Sequence, residues 1–388
     1  MTTRQNVVRW KRVLTGFLLW AGMLVSPLAA QLSEFETTRF VPAETFIALS
    51  INMESILGKV DAGDPLIRKL LDSGTTSTGF NLGNLERLMF LVSAERSAER
   101  EFEMPALMLM RFTSEVDSAA ILGKADSEEY LQYETSEYNG QQIHSGRYVF
   151  DSGVHSGPTL FFPDEYTVVQ GDAGVIRQMI DGESEMSSGM DLVNNLDPEA
   201  ELQLVIEGGS GLQSFSMETL EIMMPGASQF SELVYGLRHL EVLASYQEEI
   251  PVSITIEMKS EALANQVMGL LNAGRLAAPG ALEGLSGELD KEMSRFADRV
   301  DSDLMARGVG AVEELLALGK TALEKLNVQQ DGATIVISVP EIEGLEQLPQ
   351  LTGMSMGMSV VAAEAMMAQY ERHATELEEM ESAIDPDK

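Results

Sequence analysis

The chain has 388 residues, no cysteine, four histidines and a formal charge of −35, with 61 acidic against 26 basic residues. So acidic a surface repels nucleic acid and anionic lipid headgroups, and the missing cysteines remove disulfides, thiolate nucleophiles, iron–sulfur clusters and cysteine-bound zinc. An apolar fraction of 44% is that of a globular protein, and the length suffices for two ordinary domains.

Residues 1–30 read as a secretion signal. Arg4, Arg9, Lys11 and Arg12 form a basic start, Val13–Val25 an apolar stretch, and Leu28-Ala29-Ala30 a small-residue cleavage site before Gln31. The apolar run falls short of the about 20 residues that cross a bilayer core. No cysteine stands at the junction for lipid attachment, so no stable membrane anchor is expected after cleavage. Both tryptophans, Trp10 and Trp20, leave with the signal.

The first half, residues 31–181, opens with a strand at Thr45–Ile51. Helices follow at Met53–Lys59 and Pro65–Leu71, the second capped by Asp64 with Pro65 at its first position. Leu85–Ala94 and Ala106–Phe112 read as a hairpin, and Ser114 as the cap of the next helix. Short strands at Tyr130–Thr135, Gln141–Phe150, Thr159–Phe162 and Tyr166–Gln170 precede a helix at Ala173–Ile180. Residues 182–197 are polar and read as a linker.

The second half, residues 198–345, repeats the plan. Its elements are a strand at Glu201–Glu207, a helix at Leu212–Leu233, a hairpin of Leu237–Tyr246 and Val252–Met258, and a helix at Glu261–Ala273 capped by Ser260. Leu85–Ser93 lies over Leu237–Ser245 without a gap, and Phe112–Glu115 over Met258–Glu261. The second copy is six residues shorter, a difference that falls in the polar hairpin connection. A helical insertion occupies about residues 280–326, broken at Gly308 and Gly310. Residues 346–388 comprise a Met-rich segment and an acidic helix whose seam is Ala363, Met366, Tyr370, Ala374 and Leu377. That seam suits self-association or an envelope partner, but packing on the protein's own second half explains it more simply. The expected class is α+β: two related β-α-β-β-α halves of ferredoxin-like, split β-α-β type, with a β-rich extension in the first and helices inserted in the second.

Chemical motifs are sparse. Met354, Met356 and Met358 alternate as soft ligands for Cu(I) do, but 23 methionines are spread along the chain and core filling is the better reading. His144 and His155 lie near hydroxyl and carboxylate residues without a triad pattern, and Ser210 lacks the flanking glycines of a nucleophile elbow. Asp298, Asp301 and Asp303 lack the glycine of a calcium loop and read as a solvated helix face. No catalytic residue and no cofactor is expected.

Val41-Pro42-Ala43-Glu44-Thr45, entering the apolar Phe46–Ile51, resembles the opening of the first unit in uncharacterised exported bacterial proteins. Asp164–Asp172 is similar to a turn, strand and helix start of that group. The resemblance covers about the first half of the mature chain and implies an exported α+β protein, with no catalytic residues to carry over. The expected role is binding or scaffolding in the periplasm or outside the cell, on a sheet surface or in the groove between the halves. The alternatives are an exported hydrolase assembled from dispersed residues and a carrier of an apolar ligand. Intact-mass measurement of the protein from its native host should find an N-terminus at Gln31; recovery of Met1 in a membrane fraction would overturn cleavage.

Overall fold

A computed structural model describes residues 41, 45–93, 106–127, 131–150, 153–181, 192–193, 196–197, 200–209, 230–245, 251–296 and 301–364. The signal segment, Ser210 and most of the helix expected at Leu212–Leu233 lie outside them. So do His373, Asp298 and the C-terminal seam beyond Ala363.

The first half runs β1 (Thr45–Asn52), α1 (Met53–Lys59), α2 (Pro65–Thr78), β2 (Leu85–Ser93), β3 (Ala106–Phe112), α3 (Ser118–Ser127), β4 (Leu131–Tyr138), β5 (Gln141–Phe150), β6 (Gly153–Asp164), β7 (Thr167–Gly171) and α4 (Ala173–Asp181). The second runs β8 (Leu202–Glu207), α5 (Ser231–Gly236), β9 (Leu237–Ala244), β10 (Val252–Met258), α6 (Glu261–Phe296), α7 (Ser302–Lys325), β11 (Asn327–Asp331) and β12 (Thr334–Val339). A helix over residues 348–364 is α8. All the strands among the described residues join one antiparallel sheet in the order β11-β12-β10-β9-β8-β1-β2-β3-β7-β6-β5-β4.

The halves meet where β1 pairs with β8, with Leu49 opposite Leu204 at the middle of the pairing. On either side of this junction the order is a strand, its hairpin and a returning strand: β1-β2-β3-β7 and β8-β9-β10-β12. A split β-α-β unit would place the third strand between the first two. Here β2 lies directly against β1, so the strand order differs from the ferredoxin-like one that the element sequence suggested. The helix-bearing connection between β1 and β2 returns the chain antiparallel to its own neighbour, which leaves no gap for β3.

The two hairpins share fine detail. Each carries a β-bulge at its open end, where Leu85 faces Phe112 and Leu237 faces Met258 before the register shifts. The extra residue is Glu86 in one and Arg238 in the other. Glu86 lies 3.8 Å from Arg111, and Arg238 lies 2.9 Å from Glu257, so the same ion pair is made with its charges exchanged. Thr113 N donates to Asn84 O and Lys259 N to Gly236 O, both at 2.8 Å. Phe112 N donates to Tyr166 O and Met258 N to Ala333 O, both at 2.9 Å.

Helices line one face of the sheet along both halves. Ile56 of α1 packs with Leu49, Ile51 and Leu202. Ile121 of α3 packs with Met110, Leu160 and Val168. Leu263, Ala264 and Val267 of α6 pack with Ile254, Met258 and Ile335. On the opposite face, α4 places Val175, Ile176 and Met179 over Met89, Leu91, Leu107, Leu109 and Val169. Leu192 and Val193 join that core, so the stretch expected as a linker contributes buried side chains at its end.

Several local readings change. Ser260 Oγ accepts from Leu263 N at 3.4 Å and caps α6 as expected, but Ser114 lies before an extended segment, and Asp117 accepts from Ala120 N at 2.9 Å instead. The strand expected at Thr159–Phe162 starts earlier, so residues 153–157 belong to β6. Helix α6 continues through Pro279 to Phe296. Asp301 caps α7 by accepting from Asp303 N and Leu304 N at 3.0 and 3.2 Å. Gly308 and Gly310 therefore sit inside α7, and Gly308 is there for contact: a Cβ would come 2.5 Å from Met358 Cγ.

Helix α8 bridges the halves. Asp61 N donates to Gln350 Oε1 at 2.7 Å, and Lys69 pairs with Glu364 at 2.8 Å. Asp64, buried at the start of α2, accepts from Leu66 N at 2.8 Å and pairs with Arg307 of α7. Gly357 lets α8 approach the backbone of α2, because a Cβ there would collide with the Leu66 carbonyl. Substitution Gly357→Leu should cost about 3 kcal/mol or more through overpacking. Thermal unfolding should register this as a melting temperature several degrees lower, with α8 amides exchanging first in hydrogen-exchange mass spectrometry.

Candidate functional site

The same face of the sheet differs in character between the halves. In β3, Leu107, Leu109 and Met110 make a nearly continuous apolar run, the pattern of a strand covered on both sides. In β10, Ser253, Thr255 and Glu257 alternate with Val252, Ile254, Ile256 and Met258, the pattern of a strand with one solvated face. Register carries that polar face across the neighbouring strands. Ser253, Thr255 and Glu257 lie opposite Leu243, Glu241 and His239 of β9, and opposite Ser338, Val336 and Thr334 of β12. Asn327, Gln329 and Asp331 of β11 complete the face and are exposed. Val336, at its centre, is 40% exposed.

Hydrogen bonds order its inner margin. Gln203 Nε2 donates to Glu241 Oε1 at 2.6 Å, while Gln203 Oε1 accepts from Asp197 N at 2.5 Å. His239 Nδ1 lies 2.8 Å from Glu207 Oε1. Toward the first half the face becomes buried and polar: Arg87 Nη1 donates to Ser50 Oγ at 3.0 Å, and Lys59 lies 3.6 Å from fully buried Glu201. The arrangement can hold a polar partner by hydrogen bonds from hydroxyls and carboxylates across a broad, shallow surface. Sequence reasoning passed over these residues. The alternation Ser253-Thr255-Glu257, set against the unbroken apolar run of β3, is the signal that marks them.

The sequence-predicted candidates fall elsewhere. Met354, Met356 and Met358 lie on α8, where two positions turn about 200° and carry Met356 away from the other pair. Met358 is buried against Gly308 and shares a cluster with Leu66, Leu304, Met305 and Met354. The alternation that aligns thioethers on a strand separates them on a helix, so packing explains this motif.

His144 and His155 lie on adjacent strands without a shared carboxylate among the described contacts. His144 is buried on β5, its Nδ1 2.9 Å from Thr135 Oγ1 and its ring 5.6 Å from that of Phe162. Burial holds its pKa below the ordinary imidazole value. His155 is exposed and lies 5.8 Å, ring to ring, from Phe150. Among the described residues no group of three or more His, Asp or Glu side chains is placed to hold a metal ion. A groove of about 480 Å³ between α5 and α6 is lined, among the described residues, by Phe230, Ser231, Glu232, Leu233, Gln266, Gly269 and Leu270. No described helix is long and apolar enough to cross a membrane.

No family model and no curated protein matches the chain. Among solved structures the chain is similar to one described as "Structure of crystal form I of TP0453", at 10% identity and a TM-score of 0.32, over 87% of this chain and 98% of that one. At so low a score the fold rests on its own strand order.

The packing account of the methionines makes a graded prediction. Met358→Ala should lose about 2–5 kcal/mol of stability, as truncations in a core do, whereas Met356→Ala should lose less than about 1. Denaturant titration measures both, and equal losses would count against the assignment.

Proposed function

We propose that this is an exported, non-catalytic protein of the cell envelope that binds or scaffolds a partner on the open sheet face formed by β9, β10, β12 and β11. The carrying observation is the contrast between equivalent strands. The first half covers this face with α4, whereas the second presents Glu241, Ser253, Thr255 and Ser338. A periplasmic or extracellular location is supported by the order of basic, apolar and small residues in 1–30.

The reading includes an internal duplication, two copies of one strand–helix–hairpin–helix–strand unit joined edge to edge. Its support is the pair of matched bulges, the exchanged ion pair and the two sets of matching backbone hydrogen bonds. In this view one copy kept its outer face for core and gained β4–β6. The other left that face polar and gained the α6–α7 hairpin. Such specialisation is what a binding half and a supporting half require.

Site-specific photocrosslinking in the native host tests the role. A crosslinker at Thr255 or Val336 should trap one and the same partner, and one at Glu314 on α7 should not. Equal trapping at all three positions, or none at Thr255 and Val336, would overturn the proposed surface.

A further inference from the structure

The outer ribbon β4–β6 hangs on the body of the sheet through β6 alone, which pairs with β7. Its tip is tied back by Asp181 at the end of α4, which accepts from Tyr138 Oη at 2.6 Å and from Asn139 Nδ2 at 2.5 Å. On the helix-covered face, the ribbon contributes Tyr133, Leu160 and Phe162 to the layer that packs against Ile121 and Leu122 of α3. His144 lies in the same layer, opposite Leu160 on β6 and Thr135 on β4, with 7% of its surface exposed.

The charged and titratable groups around it are few. On the shared face β4 offers Tyr133 and, one row further out, the exposed Glu137, and β5 offers Tyr148. Glu134 and Arg147 pair with each other on the opposite face. From β6 the near neighbours are Leu160 and Phe162, with His155 far along the ribbon opposite Tyr148. Helix α3 carries Lys124 and Asp126 in its sequence, and Asp117, just before it, is engaged in capping. Thr135 Oγ1 can accept from Nδ1–H in either protonation state. A proton on the second nitrogen would therefore place a cation in an apolar layer with no carboxylate in contact among the described residues.

We propose that the β4–β6 ribbon is an acid-sensitive element, held against α3 while His144 is neutral and loosened when it is protonated. Burial lowers the histidine's pKa, so the unfolded or opened ribbon takes up the proton more readily than the closed one. Its stabilising contribution is complete above the ordinary imidazole value of 6.5 and is lost as pH falls through the lower value of the closed state. Acid is also felt elsewhere in the molecule, at Glu86, whose pKa burial raises, opposed by Arg111, reinforced by Glu54 and opposed by Arg87. It does not lie on the ribbon, and it would oppose rather than mimic its loosening. The consequence is local, because opening needs only the β6–β7 pairing, the packing on α3 and the Asp181 ties to yield.

The test is hydrogen exchange of the full chain at pH 7.5 and 5.5, corrected for intrinsic rates, beside NMR titration of the imidazoles. Ribbon amides over 131–162 should exchange up to about tenfold faster at the lower pH, while those of β1, β8 and α7 stay unchanged. The His144→Gln protein should lose this pH dependence. If that variant does not fold, the wild-type imidazole titration decides. A His144 pKa at or above the ordinary value would overturn the proposal. So would ribbon exchange that is indifferent to pH, or that responds equally in His144→Gln.

Discussion

Everything in this molecule depends on the antiparallel pairing of β1 with β8. Without it the two halves are separate sheets, each with a raw inner edge of unpaired backbone groups. With it Ile47 meets Ile206, Leu49 meets Leu204 and Ile51 meets Leu202, and the sheet runs unbroken through the junction. The helix-covered face of the junction is aliphatic. The other face holds Ser50, Asn52, Arg87, Glu201 and Gln203, all buried. Buried polar groups cost free energy unless they are hydrogen-bonded, so this network admits one register and penalises a slip. A one-residue shift would turn the aliphatic row into the polar layer and strand the charges among side chains that cannot answer them.

Helices α2, α7 and α8 link the two halves a second time. Their contacts are made by small residues and single charged side chains: Gly308 under Met358, Gly357 against the α2 backbone, and Arg307 on the α2 cap Asp64. The second half thus holds the first at two levels, by backbone hydrogen bonds within the sheet and by close packing between helices. The outer face of β9–β12 takes no part in either and is free to be polar.

Much of the local plan was legible because it is governed by local chemistry. Asp64-Pro65 announces a helix start, Ala106–Phe112 announces a buried strand, and the aligned leucines of β2 and β9 announce the paired hairpins. Strand order was not legible. The succession strand, helix, strand, strand, helix suits a split plan and a consecutive one equally, and only the side-by-side pairing of β1 with β2 decides between them. The glycines of α7 misled for a related reason. Gly308 looks like a helix breaker until Met358, fifty residues away in sequence, is seen to need the space. The methionine motif was ambiguous in its period: side chains that alternate on a strand diverge on a helix, and nothing within Met354–Met358 says which it will be.

The exchanged ion pair bears on how the chain avoids tangling with itself. Two similar hairpins on one polypeptide invite a strand from one to pair with the counterpart from the other while the chain is still collapsing. Such a hybrid would set Glu86 beside Glu257, or Arg238 beside Arg111, in place of the attractive pairs of the native hairpins. Like charges brought together across strands repel. Reversing the polarity of one bridge therefore gives each hairpin a private electrostatic key, which rewards the native partner and turns away the look-alike.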